Sequence, residues 1–167
     1  MNIFFLAFNP KLAAEYHCDK HVVKMILETA QMLYCAHWVL NPENLPVGAY
    51  KKAHVNHPCS IWVRESLSNY QWLCELGWYL CKEYQYRYGA EKTHKTESHI
   101  SWLKQNPPNS LRDIGVTTIR LAMPDEYKQP NPVEAYRTFY QKSKLDARGI
   151  VKYTRRDWPS WLECKNE

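Results

Sequence analysis

Glycine is scarce in this chain, with 5 among 167 residues, and neither a dinucleotide-binding nor a Walker spacing is present. A phosphate-cradling loop needs glycine where the backbone must approach the ligand, so such a loop is excluded as a source of nucleotide chemistry. The 6 cysteines include no CxxC pair, which argues against a zinc ribbon. With no secretory leader in view, it also argues against a disulfide framework. Long apolar runs are missing too. The opening Met1-Asn2-Ile3-Phe4-Phe5-Leu6-Ala7-Phe8 lacks a basic flank and is far short of the roughly 20 residues a spanning helix needs. It predicts a strand or buried extended segment, and the chain reads as a cytoplasmic protein without a membrane partner. No internal repeat, low-complexity tract or linker appears, so residues 1–167 are expected to form one domain, with 152–167 as a basic-aromatic tail.

Aromatic residues are plentiful, with 12 Tyr, 7 Trp and 4 Phe, and 45% of the chain is hydrophobic. A disordered chain is therefore excluded, and Tyr and Trp add polar edges suited to stacking and recognition. Lys+Arg 22 against Asp+Glu 17 leaves +5, a surplus whose sign favours phosphate-bearing partners and whose size decides nothing.

The breakers divide the chain into helices. Asn9-Pro10 is a cap followed by a proline suited to the first turn, and no Gly or Pro follows until Pro42, so one long helix is predicted. Residues 41–57 read as a loop, a second long helix runs from Pro58 to a stop at Gly89, and a shorter one spans about 93–105. Residues 109–130 are irregular. Asn131-Pro132 opens a last amphipathic helix to about Lys144. The expected fold is mainly α: a compact single-domain bundle with two long central helices and a short extended N-terminal segment.

Apolar residues cover most of the first helix and leave His17, His21, Lys24, Glu28 and Gln31 within about 80° of arc. Glu28 suits a general base or a counter-charge to a cationic intermediate, held ionised by Lys24. Lys24 itself suits phosphate, or, if desolvated, amine attack on carbon. A plain solvent face is the competing reading. His17 and His21 have metal-ligand spacing, and His54, His57 and Cys59 are candidates to complete a zinc site, although Cys18 follows His17 where a zinc-protease helix needs Glu. His54 and His57 equally suit turn and capping roles. Arg64 is the best fork for phosphate in the second helix, with an ion pair to Glu28 or Glu65 as its alternative. Asn69 stands close by on the same helix. Arg155, Arg156 and Trp158 in the tail fit backbone neutralisation with base stacking, or packing over the domain end. Cys18, Cys35, Cys74 and Cys81 read as small core residues.

The extended start, the helix carrying His17 and the charges after it, the His57-Pro58 opening of a second long helix and the aromatic-basic tail together resemble the phage-type pyrimidine-dimer DNA glycosylases with abasic-lyase activity. The likeness covers about the first 90 residues and the tail. It implies a mainly helical, phage-encoded repair enzyme that uses an N-terminal α-amine with a first-helix Glu. The counterparts here are the chain start and Glu28, with His17, His21, Lys24 and Arg64 as backbone contacts. Position 2 is Asn rather than a small residue, which predicts retention of Met1. Glu28 lies further along its helix than the likeness would place it, and residues 109–145 have no counterpart. The expected activity is DNA base excision on DNA or a nucleotide-like ligand without a cofactor. Glu28, Lys24 and His21 are the expected catalytic residues, and His17, His57, Arg64, Asn69, Arg155, Arg156 and Trp158 the contacts. Two alternatives stand beside it: a zinc-dependent hydrolase built on His17, His21, His54 and His57, and a non-catalytic module that sequesters a nucleotide or signalling ligand.

Overall fold

The computed structural model describes residues 1–149 and 151–163, so Cys164 and the end of the tail lie outside the described residues. Six α-helices are built from them: α1 (Pro10–Glu15), α2 (Asp19–Leu40), α3 (Pro58–Val63), α4 (Leu67–Tyr88), α5 (Glu97–Gln105) and α6 (Pro132–Phe139). The described residues contain no strand. The architecture is all-α, with α4 packed on α1, α2 and α5. Among the described residues, no helix is long and apolar enough to cross a membrane.

Both long helices are shorter than their apolar patterns suggest, and for physical reasons. Asn9 caps α1 through Oδ1, which accepts from the amide of Leu12, but α1 ends at Glu15 and the chain turns through His17 and Cys18 before α2. A broken helix leaves carbonyls unpaired. Arg87 from α4 supplies the donors, Nη2 to the Glu15 carbonyl at 2.9 Å and Nη1 to that of His17 at 2.6 Å. The second break, at residues 64–66, follows from Ser66, whose Oγ accepts from the Asn69 amide and starts α4 afresh. Gly89, at φ +131°, stops α4, and Asn131 caps α6 through two amides. The last helix then passes into a π-helical turn over Tyr140–Leu145 rather than continuing to Lys144 as α.

Residues 3–7 are buried in the middle of the bundle. They are extended without joining a sheet, and side chains satisfy their backbone in part: Arg137 Nε donates to the Leu6 carbonyl at 2.8 Å. The core between the helices is one hydrophobic cluster. Cys18, Cys35, Cys59, Cys74 and Cys81 are free and buried, and burial pushes the Cys59 thiol up to about 11 and that of Cys81 up to about 12. These are packing residues rather than thiolate nucleophiles.

Candidate functional site

The start of the chain meets the middle of α2. Lys24 Nζ lies 3.5 Å from one oxygen of Glu28, and the α-ammonium of Met1 lies 3.9 Å from the other. One carboxylate therefore faces two cations. Its side chain is 14% exposed, which removes much of the water that would screen it. His57 enters from the loop before α3, its pKa lowered chiefly by burial, then by the Met1 ammonium and by His54, with Glu28 opposing. His57 thus feels the charges of Met1, His54 and Glu28. His57 is also the cap of α3, its Nδ1 accepting from the Cys59 amide at 3.1 Å. Because that nitrogen accepts, the ring's proton is on Nε2.

Chain termini ordinarily fray, yet this one is braced on several sides. Asn2 Oδ1 accepts from the Ile3 amide at 2.8 Å and from Cys59 Sγ at 3.2 Å, while its Nδ2 donates to the Ala122 carbonyl at 2.9 Å. Tyr136 secures the same strip, donating to the Arg120 carbonyl at 2.6 Å and accepting from the Ala122 amide at 3.1 Å. The Met1 side chain is buried in turn, with Ser60 Oγ facing its sulfur. Asn2, Tyr136 and the 120–122 strip are positioning residues that sequence reasoning missed, and Cys59, expected there as a zinc ligand, joins them by its hydrogen bond to Asn2.

The other expected site residues separate from this locus. His17 precedes α2 rather than lying on it. It is fully buried, its Nδ1–H donating to the Ala13 carbonyl at 2.6 Å, and desolvation lowers its pKa to about 4. His21 is buried against Tyr140, whose hydroxyl is 2.7 Å from its Nδ1. The His17 ring does not reach the surface, which corrects the phosphate contact expected of it, whereas His21 lines a separate cleft with Asp19, Lys20 and Tyr88, away from Glu28. The solvent strip on α2 is thus reduced to Lys24, Glu28 and Gln31. Lys24 is 52% exposed, so the desolvation that amine attack from its side chain requires is absent. Asn69 is buried and clasps the 109–121 region: Nδ2 donates to the Trp62 carbonyl and to Thr117 Oγ1, and Oδ1 accepts from the Thr117 amide. Its expected nucleic-acid contact is corrected to a structural one. Arg64 Nη1 donates to the carbonyls of Val55 and Ser60, holding the loop that carries His54 and His57. Among the described residues it forms no ion pair, because Glu65 is taken by Arg120.

The tail packs back on the bundle. Arg156 pairs with Glu83 and Glu15 and lies over the Tyr86 ring, Arg155 Nη1 donates to the Tyr86 carbonyl, and Trp161 stands edge-on to Tyr16. Trp158, 49% exposed, remains available beside Arg155 on a groove of about 570 Å³. Among the described residues, no three His, Cys, Asp or Glu side chains converge to hold a metal ion. His17 and His21 lie in the core beside Phe4 and Tyr140, whereas His57 caps α3 from the loop that carries His54, and among the described residues the four-histidine zinc set is not assembled.

Comparison with known protein families, with curated proteins and with solved structures finds no match.

Proposed function

We propose that this protein is a DNA N-glycosylase with abasic-site lyase activity that works through the α-amino group of Met1. The observation that carries the reading is the placement of that group 3.9 Å from Glu28, on a chain start braced by Asn2, Cys59 and Ala122. An amine beside a half-buried carboxylate has a proton acceptor within reach, so removal of its proton can accompany attack on carbon.

In the proposed sequence Glu28 accepts a proton from the α-ammonium, and the nitrogen bonds to C1′ of the damaged nucleotide. The glycosidic C–N bond breaks, and the base leaves with that electron pair and takes a proton. Opening of the sugar ring gives an imine to C1′. Loss of a C2′ proton then expels the 3′ phosphate, and water hydrolyses the imine to restore the amine. Glu28 also offsets positive charge as it develops on the sugar. Lys24, His54 and His57 supply donors for the flanking phosphates or the departing base, and extrusion of the nucleotide brings C1′ to the amine.

Borohydride trapping on UV-irradiated duplex and on duplex with a single abasic site tests this. The expected product is a reduced covalent adduct that peptide mass spectrometry places on the Met1 amine, and N-terminal acetylation should abolish it. Trapping on Lys24, or no strand cleavage and no adduct on either substrate, would overturn the reading.

A further inference from the structure

At the far end of α2 lies a second site. Glu28 and His37 are nine positions apart, so at the ideal helical repeat they stand about 13 Å apart along the axis and on opposite sides of the helix. His37 lines a cleft of about 410 Å³ together with Asn41, Asn44, Trp102, Gln105 and Asn109. Among the described residues no charged side chain lines it.

The hydrogen bonds assign the ring's proton. Tyr70 donates its hydroxyl proton to the Leu103 carbonyl at 2.8 Å, so the same oxygen accepts from His37 Nε2–H at 2.9 Å. His37 Nδ1 therefore carries a lone pair. His37 is 2% exposed, and among the described residues this buried nitrogen has no partner. Asn41 repeats the pattern one turn on. Its Nδ2 donates to Glu43 Oε1 at 3.0 Å, which turns Oδ1 the other way, and that buried oxygen also has no partner among the described residues. Buried acceptors left without a donor are unfavourable, so a ligand that supplies one is favoured.

We propose that this cleft binds an amino-bearing nucleobase, free, as a nucleoside, or exposed in a single strand. The exocyclic amine of adenine or cytosine has two hydrogens, and the two acceptors that could take them, on the last turn of α2 and on its C-cap Asn41, belong to residues lining the same cleft. The base is planar, and Trp102 offers an aromatic wall beside His37, ring centroids 5.2 Å apart. With no charged side chain in the lining, a phosphate or a carboxylate has no counter-ion there and a cation no carboxylate, which favours a neutral ligand. The amides of Asn44, Gln105 and Asn109 are suited to the remaining polar edge of a base or to a ribose.

Titration calorimetry with adenosine, inosine, cytidine and uridine separates this from its rivals. Inosine and uridine present a carbonyl where the amine would be, so adenosine and cytidine should bind about tenfold tighter or better, because a facing carbonyl leaves both acceptors unpaired. Nitrogen-15 NMR of His37 should show Nδ1 moving on addition of adenosine and remaining still with inosine. Asn41→Leu should lose the preference for adenosine while a retained folded spectrum reports an intact bundle. An adenine-rich single strand that binds tighter than adenosine and still moves Nδ1 would identify a polynucleotide as the source; a strand that binds no tighter would identify the free base or nucleoside. Equal affinity for all four nucleosides, no binding, or an ordered water that adenosine fails to displace from Nδ1 would overturn the proposal.

Discussion

Arg87 Nη1 lies 3.2 Å from Asp19 Oδ1 while the same guanidinium holds the carbonyls of Glu15 and His17 and, through Nε, Glu83. One fully buried fork thus closes the gap between α1 and α2. Asp19 passes the constraint on, accepting from the amide and hydroxyl of Thr154, and so anchors the tail. Removing one partner of a buried charge network leaves the others uncompensated, so Arg87→Leu should cost about 3–5 kcal/mol. Arg87→Lys should recover only part of it, because an ammonium cannot reach several acceptors in the fork geometry. Urea denaturation of both variants checks this, and a loss below about 1 kcal/mol for Arg87→Leu would show the network to be marginal.

Glu28→Gln keeps the shape of the proposed site and removes its charge. On the proposed mechanism it should lower cleavage of abasic-site DNA by about a hundredfold or more while leaving binding of that DNA within a few fold. Stability should fall by about 1 kcal/mol or less, since the Lys24 partner is half exposed and the Met1 ammonium stands no closer than 3.9 Å. Single-turnover cleavage and a binding isotherm on the same duplex separate the two effects. Equal loss in both would identify Glu28 as a structural residue instead.

The helical class, the caps at Asn9 and Asn131 and the stop at Gly89 were legible because each rests on a local signal. The breaks at 16–18 and 64–66 were less so. No Gly or Pro marks the first, and its cause, Arg87, is distant in the chain. Apolar periodicity ran straight through both breaks, and the first carried His17 off the helix and into the core. The pairing of Glu28 with Lys24 was local and readable. The brace on Met1 is not, since Asn2 meets Cys59 and Ala122 across 57 and 120 positions and nothing in either neighbourhood announces it. His37 carries no local signal, because its meaning comes from Tyr70 and Leu103, which only packing brings to it.

Gly77 allows α4 to approach its neighbours closely. A Cβ there would stand 2.9 Å from Thr29 Cγ2 on α2 and 2.9 Å from Ile100 Cδ1 on α5. Alanine would gain up to about 1 kcal/mol of helix propensity, but overpacking a tight core costs about 1–3 kcal/mol. The Ile100 methyl is the end of a flexible chain, whereas Thr29 is β-branched and stiff. Gly77→Ala should therefore destabilise by about 1 kcal/mol net, and adding Thr29→Ser should return part of the loss through a measurable coupling. A more stable Gly77→Ala protein would show that the helices can separate at no cost.

Stability should fall as the solution is acidified from pH 7 to pH 5. Desolvation lowers the pKa of His17 to about 4 and that of His37 to about 4, whereas in the unfolded chain both titrate near 6.5. Between those values the unfolded state binds protons that the native state refuses, so unfolding becomes more favourable as pH drops. Their contribution is fully present above about pH 7 and is lost progressively toward pH 4, each histidine adding about 1.4 kcal/mol per pH unit at most. His57, His94 and His99, whose pKa values burial also lowers, act in the same direction. Urea midpoints at pH 7, 6 and 5 measure the slope. His17→Gln should make that slope shallower even though the substitution costs stability at every pH, and a flat wild-type profile over this interval would mean that the two imidazoles take up protons in the native protein.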